Sequence, residues 1–101
     1  MTRDLILSKL AGAADELRQV GVTRLRLFGS AARDEVRSTS DVDILIEFDD
    51  RPIGLFTLAR LQRRLQEILG VEHVDLVTPE GLHPALRDRV LSEAVDVARV
   101  A

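Results

Sequence analysis

The chain has 101 residues, a formal net charge of −3, and 46% hydrophobic residues with only 3% aromatics. Its length suits one domain, residues 1–101, with an aliphatic core and no room for a separate substrate domain. The absence of cysteine excludes disulfides and thiolate metal sites. No apolar run reaches the ~20 residues of a membrane span, no secretory leader is evident, and no basic stripe with interleaved aromatics marks a nucleic-acid binder, so a cytoplasmic location is expected.

Residues 3–20 carry Ile6, Leu10, Ala13, Leu17 and Val20 at the spacing of one helical face. Thr2 fits as its N-cap and Gly21 as its stop. Residues 24–28 predict a strand with Leu25 and Leu27 on one face. Residues 30–36 predict a short helix that Ser30 can cap, and Ser38-Thr39-Ser40 a loop. Residues 42–48 predict a half-buried strand. Val42, Ile44, Ile46 and Phe48 share one face; Asp41, Asp43, Leu45 and Glu47 share the other.

Asp49-Asp50-Arg51-Pro52 is expected to turn. Residues 54–69 predict an amphipathic helix with Leu58, Leu61, Leu65 and Ile68 inward, ended by Gly70. Residues 72–77 predict a third strand and Thr78-Pro79-Glu80-Gly81 a turn. Pro84 opens a last helix with Leu86, Val90, Ala94 and Val97 inward. The order is αβαβαβα. The expected fold class is α/β (α+β): a small mixed sheet with helices mainly on one face and the site on the other.

The informative constellation starts where an apolar run ends in Gly29-Ser30. After a gap of ten residues a second apolar run opens with Asp41 and Asp43. Residues two apart on a strand share a face, with Cα atoms roughly 6.6 Å apart. Two such carboxylates can hold a divalent metal that also binds phosphate oxygens. The Gly-Ser turn offers backbone N–H groups to the same phosphates. Asp75 on the third strand is a third candidate, provided that strand pairs beside the second with Asp75 level with Asp43. Three carboxylates that close repel each other unless cations lie between them. Two divalent metals about 3.5–4 Å apart are the usual arrangement for displacement at phosphorus. Asp75 is then best placed to assist deprotonation of the attacking hydroxyl.

Each signal alone is ordinary. Exposed strand acids keep sheets soluble, and Gly-Ser is common turn chemistry. The conjunction carries the reading. Neighbouring polar residues receive plain assignments: His73 to the surface, His83 to the entry of the last helix, Glu47 to solvent, Glu35 and Arg37 to a charged turn. Arg60, Arg63 and Arg64 form the wet side of a helix, with a partner-binding role as the other option.

Gly29-Ser30, the gap of ten, Asp41-x-Asp43 and the later strand Asp75 resemble the minimal nucleotidyltransferases of the DNA polymerase β superfamily. Within it, the chain is most similar to stand-alone antitoxins encoded beside HEPN-domain toxins, over nearly its whole length. The resemblance implies that Gly29 and Ser30 bind nucleotide phosphate, that Asp41 and Asp43 bind Mg2+, and that Asp75 completes the triad. Arg33, in the family's Gly-Ser-x-Ala-Arg motif, helps with phosphate or shapes the turn. The family often has glycine after that arginine, where this chain has Asp34; positive φ there is tolerated by aspartate at some cost. The implied activity is Mg2+-dependent transfer of AMP from ATP to a tyrosine of a HEPN toxin, silencing it, in a hetero-oligomer or homo-oligomer. The alternatives are a catalytically idle module that masks its partner, and a small-molecule nucleotidyltransferase.

Overall fold

A computed structural model describes residues 1–35, 41–50 and 53–100. The expected loop Ser38-Thr39-Ser40, Arg37, and the Arg51-Pro52 half of the expected turn lie outside the described residues. The first helical stretch is two helices, α1 (Arg3–Gly12) and α2 (Ala14–Gln19), broken at Ala13. The Thr2 side chain caps α1, accepting from the Leu5 N–H at 3.1 Å. Ile6, Leu10, Ala14 and Leu17 are buried from the two helices; Val20, expected inward, is 40% exposed because the helix has ended before it.

Strand β1 (Val22–Phe28) starts two residues earlier than expected. A register shift between Val22 and Arg24 explains the difference. A bulge adds one residue to the strand, so Val22 joins Leu25 and Leu27 on the core side despite its odd spacing. Helix α3 is only Gly29–Ala32, and Ser30 lies inside it rather than capping it. Strand β2 (Val42–Phe48) pairs antiparallel with β1, and α4 (Leu55–Leu69) follows. Gly70 adopts φ 69° and donates to the Gln66 carbonyl at 2.8 Å, ending α4 as expected.

Strand β3 (Val74–Val77) pairs parallel with β2. A single 3-10 turn (Pro79–Gly81) occupies the expected turn. Helix α5 (Pro84–Glu93) is capped by the His83 imidazole, whose Nδ1 accepts from the Ala85 N–H at 3.1 Å. Two expectations fail here. Leu86 is 52% exposed. The last helix stops at Glu93, and the chain turns into a short strand, β4 (Val95–Asp96), antiparallel to β1. Val97 is buried through that strand, not through a helix, and Val100 is buried after it.

The sheet order is β3-β2-β1-β4. Leu25, Leu27, Val42, Ile44, Ile46 and Val74 meet Ile6, Leu10, Leu17, Leu61, Leu65 and Leu69 in one aliphatic core beneath α1, α2 and α4. The opposite sheet face is not fully open. Leu45 and Arg26 lie on it, yet are 1% and 7% exposed. The 3-10 turn contacts β2 and α5 contacts β1. Arg26 donates to Glu47 at 2.8 Å, so Glu47 is tied to a buried cation rather than free in solvent. At the end of that face where β2 and β3 begin, Asp41 and Asp75 are exposed.

Candidate active site

The site is assembled where β1 ends and β2 begins. In the antiparallel pair Phe28 stands opposite Asp43, so Gly29 leaves the sheet directly beside that carboxylate. Gly29 has φ 63°, a left-handed backbone that favours glycine. A Cβ there would lie 2.3 Å from Asp43 Oδ2 and 3.2 Å from its Cγ. The residue is therefore required to be glycine twice over, by its dihedral and by the carboxylate seated against its backbone. Ala31 and Ala32 are buried and hold α3 against the core end of the sheet.

In the parallel pair Asp43 faces Asp75 in register, on the same face of the sheet. The condition on which convergence depended is met. The two carboxyl groups are brought side by side. Burial of Asp43, then the charge and hydrogen bond of Asp75, then the charge of Asp41, push the Asp43 carboxyl up to about 6. Asp41 is exposed, just ahead of β2. Asp75 is exposed as well, so one side of the acidic pair is open to a ligand.

Arg33 ends α3. Its charge is felt at Asp43 and opposes the upward shift. Its guanidinium meets Glu35 at 3.1 Å and Glu93 of α5 at 3.6 Å. A phosphate would compete with those two acids for it. Asp34 has φ 59°, the conformation glycine would favour at that position. Its carboxylate accepts from the Arg3 N–H of α1 at 2.7 Å, so the loop after the Gly-Ser turn is fastened to the start of the chain. Neither Glu93 nor this Asp34 contact was foreseeable: the partners are far apart in sequence, and no local pattern links them. His73 is exposed, and its carbonyl accepts from Val42.

Among the described residues no three His, Cys, Asp or Glu side chains close into a metal-enclosing group on their own. The chemistry of the site nevertheless suits a divalent cation. Two carboxyl groups stand side by side on adjacent strands, a third adds negative charge, and the glycine beside them contributes no side chain to fill the space. A divalent cation would offset the charge of these acids and could bind phosphate oxygens of a nucleotide at the same time.

The nucleotidyltransferase domain family matches residues 7–97. A protein adenylyltransferase, MntA, of Thermococcus cleftensis is 38% identical over 98 residues, covering 96% of this chain and 97% of that one. A Methanocaldococcus jannaschii protein provisionally named a protein adenylyltransferase is 52% identical over 77 residues, 76% of this chain and 81% of that one. Among solved structures, one provisionally described as a minimal nucleotidyltransferase superposes with a TM-score of 0.80 at 38% identity, covering 94% of this chain and 95% of that one. A toxin–antitoxin structure solved with AMP-PNP shares the fold, with a TM-score of 0.70 at 22% identity over 90% of this chain and 71% of that one.

Proposed function

The chain belongs to the nucleotidyltransferase domain family, and on that premise we propose that it transfers AMP from ATP to a hydroxyl of a partner protein. The partner is a HEPN-domain toxin, the acceptor is a tyrosine, and the transfer silences it. One observation carries the reading: Asp43 and Asp75 stand level on adjacent parallel strands, with Asp43 seated against the bare backbone of Gly29. Relatives named as protein adenylyltransferases supply the type of reaction.

Asp41, Asp43 and Asp75 would hold Mg2+, which supplies charge neutralisation for the triphosphate and polarises the attacking oxygen. The N–H groups around Gly29 and Ser30 lie beside these acids and bind phosphate oxygens. Asp75, the more exposed of the pair, accepts the proton of the acceptor hydroxyl. The hydroxyl oxygen then bonds to the α-phosphorus of ATP. The bond from that phosphorus to the bridging oxygen breaks, and pyrophosphate departs with the electron pair. The product is the phosphodiester of AMP on the acceptor.

The test is incubation of the protein with α-labelled ATP, Mg2+ and the HEPN protein encoded beside it. Label is expected on the partner, and Asp41→Asn or Asp43→Asn should each reduce transfer by about 10²–10⁴-fold while the fold persists. Absence of label under conditions where the two proteins bind would defeat the catalytic reading.

A further inference from the structure

Helix α4 departs from the amphipathic rule on its outer side. Leu61, Leu65 and Leu69 are buried in the core and Ile68 packs against it, while Leu58, expected inward, is half-buried outside that cluster. The side turned away from them should be polar. Instead Leu55 and Phe56 are both 84% exposed in its first turn. Phe56, Ala59, Arg60 and Arg63 line a hollow of about 350 Å³. Beside it Val20, Thr57, Arg60 and Leu61 line a second hollow of about 200 Å³ together with Glu16 and Arg64. The charge on this face is also unbalanced. Glu16 and Glu67 are both taken by Arg64. Arg60 and Arg63 have no ion-pair partner among the described residues, in a chain whose formal net charge is −3.

We propose that the outer face of α4, centred on Phe56, Arg60 and Arg63, docks the acceptor protein through an apolar side chain rimmed by carboxylates. This rests on the reading above that the acceptor is a protein. The surface matches that chemistry: an exposed aromatic beside a hollow, flanked by two uncompensated guanidiniums, is the composition of a binding hot spot. A second copy of the chain fits poorly, because a two-fold contact sets the same arginines against each other. The face belongs to the core-side layer of helices, whereas Asp43 and Asp75 lie on the opposite side of the sheet. Docking here therefore leaves the acidic site free for ATP. It separates holding the partner from modifying it.

The experiment uses the full chain and the purified HEPN protein from the neighbouring gene. Phe56→Asp, and separately Arg60→Glu with Arg63→Glu, should each weaken binding by about tenfold or more and raise the acceptor KM accordingly. The kcat at saturating acceptor should stay unchanged, and so should the melting temperature, since these side chains are exposed. The wild-type affinity should fall with added salt, and the double arginine variant should lose most of that dependence. Asp43→Asn should bind like the wild type while losing label transfer, and a wild-type protein that binds the partner but transfers no label counts against the catalytic reading alone. Unaltered binding in both surface variants overturns the docking proposal. So does a wild-type protein that fails to bind the partner, that instead dimerises through Phe56, or that captures anionic phosphatidylserine vesicles through these residues.

Discussion

Gly29 is the residue on which the site turns. Placing alanine there forces a left-handed backbone on a residue with a Cβ, at a cost of about 1–2 kcal/mol. It also drives that Cβ into the Asp43 carboxylate, 2.3 Å away. Gly29→Ala is expected to fold, to melt a few degrees lower, and to lose label transfer by about 10²-fold or more, as misplacement of a reacting group by about 1 Å does. Asp43 gives a pH signature of its own. Its folded carboxyl titrates at about 6 against an ordinary 3.8. The folded chain therefore holds this proton at a higher pH than the unfolded chain does. Metal-free protein is penalised above pH 6 and relieved as pH falls towards 4. Other acids run the opposite way: Asp96 and Glu16 are lowered by hydrogen bonds to Arg24 and Arg64 and lose stabilisation in acid. The comparison that isolates Asp43 is wild type against Asp43→Asn in chelator. At pH 8 the variant should melt higher, and the gap should close below about pH 4. Adding Mg2+ at pH 8 should raise the melting temperature of the wild type and not that of the variant.

Helix α4 shows how differently its two sides contribute. Leu65 is completely buried, and Leu65→Ala is expected to cost about 2–5 kcal/mol in denaturant unfolding. Arg64 bonds Glu16 at 2.7 and 3.0 Å and joins α4 to α2, but both side chains are about half exposed. Arg64→Met should cost far less than Leu65→Ala, and the difference from wild type should vanish in high salt. The periodicity of α4 revealed its inner face, because burial of leucine at helical spacing is a local property. The same periodicity could not show that Arg64 has acidic partners while Arg60 and Arg63 lack them. That depends on which helix lies alongside. Strand β1 makes the same point: Leu25 and Leu27 fixed the core side, but the bulge that recruits Val22 is a property of the pairing with β2.

For the whole molecule the final segment matters more than its length implies. Val97 and Val100 are 1% and 2% exposed, the Val97 N–H donates to Leu25 at 2.8 Å, and Asp96 pairs with Arg24. Removing residues after Ala94 deletes the two buried valines and their burial, a loss on the order of 3–6 kcal/mol. That is comparable to the total of about 5–15 kcal/mol typical for a domain. The truncated chain should show a largely unfolded circular dichroism spectrum at 37 °C. A valine-rich tail after a helical pattern reads as more helix, since apolar spacing alone does not distinguish the two. The free edge of β1, which selects strand, exists only once the sheet has formed.

The local residue pattern set the apolar faces of the strands and helices, and the alternation of strand and helix that makes a mixed sheet. It also set the placement of Gly29, Asp41, Asp43 and Asp75 at the ends and faces of strands. All of these follow from repeats of two or 3.6 residues and from the dihedral limits of glycine, which act over a few neighbouring positions. Tertiary structure decided that β3 runs parallel to β2 in the one register that sets Asp75 beside Asp43. It also decided that Arg26 and Leu45 are buried on the outer sheet face, and that Arg3 and Glu93, from distant parts of the chain, reach Asp34 and Arg33 just after the Gly-Ser turn. Those outcomes rest on hydrogen-bond pairing and charge contacts between segments tens of residues apart, which no local period encodes.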